Sequence, residues 1–436
     1  VEEHMNVDGD ADRTNGISSL RNGIATGLRK PGIDPQTGGP SVTPSVPWSL
    51  SGLFAGFGLL TVGNGLFQTL IPLHMVRLAA PTFVIGLIQS CYYLGFVVGA
   101  VTSRKIIERI GQHRTFICAA ALVSIIALIF AQCDSPAVLA GLRLLSGLAF
   151  VALYMSIESW LHISVENRQR GQIFGAYAAI NYLAAGIGQL MLIVGNASHA
   201  AQFSIVGALA VSAIVPVALL DGWPVTAVDA VAIRKPSQHL AHTFVAVAKS
   251  TRLALPGCIL GGMLYSAIFS MTPLFLEQKG YDNTDLAIFM AAVMFGAWLP
   301  QWPIGRLSDR FDRRRIIATI AAVSAGLSVI LLVWSARPVV WVVYLTYSAV
   351  TLTLYSLNVS HINDCTAPGS RVAVSGILLV LFSLGGVLGP PVIAVLMTWA
   401  GPSGLFVFNA VIASILYFAA VCALRSRQQG NASHGR

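Results

Sequence analysis

The chain has 436 residues, of which 55% are hydrophobic and only 10% charged, and its mean hydropathy is +0.72. A soluble globular chain is typically about a quarter charged, so few surfaces here face water and a soluble fold is excluded. The formal net charge of +9 invites a nucleic-acid partner. That too is excluded, because the Lys and Arg residues sit in short breaks between apolar runs, where they set membrane orientation.

Residues 1–46 are polar and rich in Gly, Pro, Ser and Asp. With no apolar run they are not a signal peptide, and they read as a disordered cytoplasmic tail. The chain begins on Val1, and Met5 is the expected start. Apolar runs then follow at 48–73, 82–103, 114–132, 136–158, 171–195 and 201–220, placing a first six-helix bundle over 47–220. Residues 221–251 form a polar cytoplasmic linker. It carries Arg234-Lys235-Pro236 and the mildly amphipathic Ala241–Lys249, expected to lie on the membrane surface. Six more runs, at 252–276, 284–304, 315–335, 338–361, 371–398 and 402–424, give a second bundle over 252–424 and leave a cytoplasmic tail at 425–436. A spanning helix needs about 20 mainly apolar residues. The runs are continuous rather than alternating, which rules out barrel strands. The expected fold class is an all-α polytopic membrane protein of 12 transmembrane helices.

With the amino terminus inside, the outer loops carry only Arg77, Lys279 and Arg337, and Arg143 falls within a span. The other 23 of the 27 Lys and Arg residues lie on the cytoplasmic side, as the positive-inside rule requires for an even span count. The six cysteines, Cys91, Cys118, Cys133, Cys258, Cys365 and Cys422, show no pairing or metal spacing and read as small apolar fillers.

The two halves match at one offset of 201 residues. Pro72-Leu73 aligns with Pro273-Leu274, Gly95 with Gly296, Glu108-Arg109 with Asp309-Arg310, and Arg114 with Arg315. Leu153-Tyr154 aligns with Leu354-Tyr355, Arg170 with Arg371, Gly175 with Gly376, and Gly188 with Gly389. Six spans return the chain to its starting side, so the repeat is parallel. Transporters built from such repeats bind solute near the midplane and rock one half against the other.

The loop after the eighth span reads Gly305-Arg306-Leu307-Ser308-Asp309-Arg310-Phe311-Asp312-Arg313-Arg314-Arg315. It resembles the loop signature of the major facilitator superfamily, with Asp312 at the second Gly position. The first half carries a partial copy, Arg104-Lys105-Ile106-Ile107-Glu108-Arg109-Ile110-Gly111-Gln112-His113-Arg114, which lacks the leading Gly. An acid at a helix end pairs with a nearby Arg or with the positive end of a neighbouring helix, so Glu108, Arg109, Arg114, Gly305, Asp309, Arg310 and Arg313 are the expected cytoplasmic gate. The alternative is a positive-inside anchor alone.

In the fourth span Arg143 stands four residues before Gly147, which resembles a second signature of the superfamily. A charge within a span faces a cavity or a partner. Arg143 reads as an anion contact or an aid to proton coupling, or as a side chain snorkelling to the outer interface. Glu158-Ser159-Trp160-Leu161-His162, Arg168-x-Arg170-Gly171, Gly188-Gln189 and Ser360-His361-Ile362-Asn363-Asp364 resemble the YcaD-like branch, whose members are transporters by family resemblance alone. His162 replaces the expected Asn. The resemblance covers 48–424 and implies a major facilitator fold of two six-helix bundles, in a bacterial inner membrane with both termini cytoplasmic. Drug antiporters of the superfamily carry a Gly-Pro signature in the fifth span. Here that pattern stands in the eleventh instead, as Gly376, Gly385 and Gly389-Pro390; it reads as a packing and kink site between the halves and as evidence against a drug antiporter of that type.

Polar groups on one face of a span point inward. The candidate cavity residues are Asn64 and Gln68, Arg143, Gln189, Tyr265, Trp298 and Gln301, with the helical stripe Tyr347, Thr351, Tyr355 and Asn358. Each alone reads more readily as a helix-helix hydrogen bond. As a group they fall on spans that line the cavity in the superfamily. Glu158, about 22 Å along the helix from Arg143, is the acid at the cytoplasmic mouth. It reads as a coupling group with Arg143, or as an ion-pair partner of Arg168 or Arg170. Trp160 reads as an interfacial belt residue.

No nucleotide-binding Gly-Lys-Ser/Thr loop, metal-binding His/Glu helix or Gly-x-Ser-x-Gly elbow occurs, so no enzyme and no cofactor is expected, beyond H+ as a coupling ion. The expected function is a monomeric secondary transporter of a small organic solute. A solute sensor without net transport is the alternative.

Overall fold

The computed structural model describes residues 48–165, 169–193, 199–220, 253–366 and 371–434. The amino-terminal tail, the linker with its surface segment, and Arg168 lie outside the described residues, as do the side chains of Arg170 and Arg371. Pro47–Arg436 forms one compact unit.

The described residues contain 12 helices long and apolar enough to cross a membrane. In the first half these are α1 (Leu50–Arg77), α2 (Thr82–Ile110), α3 (Gln112–Phe130), α4 (Pro136–His162), α5 (Gly171–Ile193) and α6 (Ala200–Ala218). In the second they are α7 (Ala254–Gln278), α8 (Asn283–Arg310), α9 (Arg313–Val333), α10 (Arg337–Asp364), α11 (Val374–Ala400) and α12 (Gly404–Arg425). Several run past the apolar stretch that reveals them. α2 continues to Ile110 and α8 to Arg310, where the sequence places the crossings' ends at 103 and 304. Apolar composition marks the hydrocarbon layer, whereas backbone hydrogen bonding carries the helix on into the polar region.

Within the first half α2 packs on α4, α1 on α5, and α3 on both α4 and α6. The second half repeats the pattern, with α8 on α10, α7 on α11, and α9 on both α10 and α12. The halves meet where α2 packs on α11, α5 on α8 and α1 on α7, again an arrangement that the repeat maps onto itself.

The register of the duplication is visible at single glycines. A Cβ on Gly188 of α5 would meet the Val62 carbonyl oxygen of α1 at 2.1 Å. Its repeat mate, Gly389 of α11, sits against Ser266 Oγ at 2.3 Å and the Met263 carbonyl oxygen of α7 at 3.1 Å. Val62 and Met263 are themselves 201 residues apart. Lipid tails are as apolar as the side chains, so close backbone approach across small residues is a main source of helix attraction. Gly175 and Gly376, another matched pair, have nothing within 4 Å of a built Cβ.

Gly188→Ala and Gly389→Ala are therefore expected to lower thermal stability, each by about 1–3 kcal/mol of overpacking. Gly175→Ala and Gly376→Ala should leave it unchanged. Unfolding followed by size-exclusion fluorescence of the detergent-solubilised protein checks the contrast.

Candidate functional site

Arg143 of α4 is fully buried, at 0% exposure. It does not snorkel. Its Nε donates to Gln89 Oε1 of α2 at 3.1 Å, its Nη2 donates to Gln68 Oε1 of α1, and its guanidinium lies 4.2 Å from the ring centroid of Tyr92. Nη1 has no hydrogen-bond partner among the described residues, and no carboxylate pairs with the group there. The charge is held by neutral amides and a π face, the latter worth about 2 kcal/mol or more when desolvated.

Gln89 passes this contact to the other half. Its Nε2 donates to the Ser270 carbonyl oxygen of α7 at 3.1 Å, within a π-helical turn at Ala267–Met271. Such turns interrupt the usual hydrogen-bond ladder and recur at functional sites. Beside it Ser270 Oγ donates to the Tyr93 hydroxyl at 3.5 Å, and Ser90 Oγ donates to the Val387 carbonyl oxygen of α11 at 2.7 Å. A Cβ on Gly86 would meet the Pro390 carbonyl oxygen at 2.7 Å, and one on Gly386 would meet the Tyr93 ring at 2.3 Å. Gly186 of α5 is packed likewise by Phe295 of α8, at 2.3 Å. Gln278 of α7 donates to Thr82 Oγ1 of α2 at 3.4 Å. These links run from the Thr82 end of the bundle to its middle.

At the Ile110 end the named ion pairs stay within one half. Arg104 pairs with Glu108 at 2.8 Å, one turn along α2, and Glu108, Arg109 and Arg114 are exposed. Arg313 pairs with Asp309 of α8 at 2.8 Å and with Asp364 of α10 at 2.7 Å. The loop signature thus ties three helix ends of the second half together. Asp312 caps α9 by accepting from the Arg314 amide at 2.9 Å. Gly305 is half-buried and Arg310 exposed.

Between these two levels the halves face each other through aromatic rings. On the first half Phe57 stacks on Tyr177 at 4.6 Å and meets Tyr154 edge-on at 6.2 Å, and Phe174 lies 6.4 Å from Tyr177. On the second, Phe382 touches Tyr265 at 5.1 Å and Tyr355 at 4.4 Å, and Tyr265 touches Phe269 at 4.4 Å. Tyr265 is within coulombic reach of Tyr92, Tyr93, Tyr154 and Tyr182 across the interface. Glu158 is exposed. It accepts from the Tyr177 hydroxyl at 3.3 Å and is within coulombic reach of Tyr355.

The sequence candidates divide accordingly. Gln301 bonds across the halves, Arg143 reaches the second half through Gln89, and Tyr265 and Tyr355 lie near first-half residues, while the described partners of Asn64, Gln68 and Glu158 are in the first half. Asn64 accepts from Gln68 at 3.5 Å. Gln301 donates to the Tyr182 hydroxyl at 3.3 Å and accepts from Ser356 Oγ at 3.2 Å, joining α8 to both α5 and α10. Three other candidates are engaged in packing inside one half. Gln189 accepts from Thr69, Asn358 donates to the Gly257 carbonyl oxygen at 3.1 Å, and Tyr347 is fully buried 5.5 Å from Tyr344. Thr351 of the same stripe bonds Ser324 at 2.8 Å. Trp298 is 44% exposed. Trp160 is 3% exposed, inside the protein rather than in an interfacial belt. Sequence reasoning missed Gln89, Tyr92, Tyr93, Tyr177 and Tyr182. The signal for the first three was the polar run Gln89-Ser90-Cys91-Tyr92-Tyr93 inside an apolar span.

The sequence model of the Major Facilitator Superfamily matches residues 53–351 and 284–435. The chain belongs to this superfamily of transporters and is a multi-pass membrane protein. It is 27% identical over 369 residues to an uncharacterized transporter of this type from Yersinia pestis, covering 83% of this chain and 92% of that one. It is 26% identical over 372 residues to the uncharacterized transporter YcaD of Escherichia coli, with the same shares covered. These relatives place it in the YcaD-like branch. Among solved structures, a mutant of the nucleoside transporter NupG superposes with a TM-score of 0.69 at 14% identity, covering 86% of this chain and 99% of that one. A bacterial homologue of the human lysosomal transporter Spinster, inward-facing and unoccupied, gives 0.69 at 14% identity, covering 87% and 98%.

Gln68→Glu gives the buried guanidinium a counter-charge, gives up the long contact to Asn64 and offers the Tyr92 hydroxyl a carboxylate in place of an amide. It is expected to raise the melting temperature, whereas Gln68→Leu should lower it by the loss of a charged hydrogen bond, about 1.5–3 kcal/mol. Thermal unfolding of the two variants beside the parent decides this.

Proposed function

We propose that the chain is a secondary transporter that moves a small organic solute by alternating access, with the solute held between α1–α6 and α7–α12 at the aromatic interface. Proton coupling runs through Glu158. The protein works as a monomer in a bacterial inner membrane, with both termini and the Ile110 end cytoplasmic, and needs no cofactor beyond H+. One observation carries this reading. Among the described residues, the links between the halves gather from the Thr82 end to the middle, while at the Ile110 end the named ion pairs fall within one half and Glu158 is exposed. Repeats linked more closely at one end than at the other suit rocking about a central site.

The contacts that close the Thr82 end are themselves reversible. They consist of glycine-to-ring packing and a few neutral hydrogen bonds, which net about 0.5–1.5 kcal/mol each. Closing the Ile110 end would bring Glu108, Arg109 and Arg114 opposite the Asp309–Arg313 cluster, and the open space at Gly175 and Gly376 leaves room for that approach.

Spin labels test the cycle in a background lacking the six cysteines. Labels replacing Thr82 and Gln278 report one end, and labels replacing Arg109 and Arg310 the other. Two populations are expected, in which a short distance at one end accompanies a long one at the other. A single distance at both ends, unchanged by pH or membrane potential, refutes alternating access.

A further inference from the structure

We infer that the transported solute is an organic cation, whose charge is met by Glu158 and whose apolar body lies between the two aromatic walls. This rests on the carrier reading above and adds the class of solute to it.

Among the described residues, Asp309, Asp312 and Asp364 each contact an Arg residue by ion pair or cap, Glu108 pairs with Arg104, and Asp285 with Arg337. Asp282 caps α8 by accepting from the Asp285 amide at 2.7 Å. Glu158 differs from these in its partner: it is exposed on a spanning helix as Glu108 and Asp309 are, but its described partner is the neutral hydroxyl of Tyr177. Glu277, likewise without an ion pair among the described residues, lies at the Thr82 end of α7, next to Gln278. A carboxylate accepts several hydrogen bonds or one cation, and a single phenol leaves most of that capacity unused.

The surroundings point the same way. Tyr154, Phe174 and Tyr177, backed by the buried Phe57, lie beside the carboxylate on one half, and on the other half Tyr355, near the carboxylate, and Tyr265 pack on the buried Phe382 and Phe269. Ring faces carry negative potential and attract cations, ammonium groups above all. They repel anions. An anionic solute would find both the carboxylate and the rings against it. Among the described residues, Arg143, the positive charge on the same helix, does not reverse this. It is fully buried, engaged with Gln68, Gln89 and Tyr92, and about 22 Å along α4 from Glu158.

A site of this kind also explains how a proton could drive the cycle. The carboxylate holds either a proton or the cation, so each displaces the other. The groups facing it are Tyr154 and His162 on its own helix, Tyr177 on α5 and Tyr355 on α10. Of these only His162 is an imidazole, so its effect has to be separated from that of Glu158.

Binding of tetraphenylphosphonium to the purified full chain tests the inference, with tetraphenylborate as a probe of the same shape and opposite charge. Saturable phosphonium binding is expected, with borate at least ten-fold weaker. Glu158→Gln should weaken phosphonium binding at least ten-fold and abolish its loss at low pH, while His162→Gln should keep that loss. Equal affinity for the two probes, or tighter borate binding, overturns the inference whether or not the variants fold. So does a folded Glu158→Gln variant that binds phosphonium as the parent does. If the spin-label distances alternate and phosphonium does not bind, the cation assignment falls and the carrier stands. If phosphonium binds through Glu158 and the distances do not alternate, the carrier falls and with it the transported cation, leaving a cation-binding site alone.

Discussion

A buried arginine held, among the described residues, without a carboxylate is the constraint on which the rest of this molecule turns. Removing a guanidinium from water costs several kcal/mol even after relaxation, so Arg143 has to be surrounded before the bundle is stable. Gln68 from α1, Gln89 from α2 and the Tyr92 ring do this together, which fixes α1, α2 and α4 around one point. Because the holding groups are neutral, the site is not locked as an ion pair would be. Gln89 has a second hand, and it reaches the backbone of α7 in the other half. The stability of one bundle is thereby joined to its contact with the other by a bond that can be made and broken.

The duplication supplies the mechanics. α2 against α11 and α5 against α8 are equivalent surfaces under the repeat, and in both an aromatic ring fills the place left by a glycine, Tyr93 on Gly386 and Phe295 on Gly186. Paired surfaces of this kind give the interface an approximate two-fold axis, about which one half can tilt without sliding. The loop signature plays a narrower part than its place in the sequence suggests. Arg313 gathers Asp309 and Asp364 from α8 and α10, so it keeps the ends of one half together as a rigid unit that moves as a whole.

The spans and the repeat were legible because both are local properties of the chain. An apolar run of membrane length needs no partner to be recognised, and a glycine that meets a carbonyl oxygen leaves the same mark in each half. The site was legible only in part. Helical spacing tells which face a side chain is on but not which helix that face meets. Gln189 and Asn358 thus looked like cavity residues when each bonds a neighbouring helix within its own half. Gln89 stayed hidden for the opposite reason. Its partners are the side chain of Arg143 and a backbone carbonyl 181 positions away, and no pattern within α2 reveals either. Trp160 follows the same lesson, since a ring near a span's end reads as a belt residue until the packing around it is known.

In the proposed cycle this state seals the Thr82 end through Arg143, Gln89 and Ser270, while the face bearing Glu158 meets water from the other side. Alkylation by a membrane-impermeant thiol reagent measures this most directly, using single cysteines at positions 90 and 158 in sealed vesicles of each orientation. The cysteine at 158 is predicted to react only from the Ile110 side, and the cysteine at 90 to react from the Thr82 side only after Gln89→Leu is added. Reaction of both cysteines from one side in the parent protein, or an unreactive position 90 in the Gln89→Leu background, would contradict it.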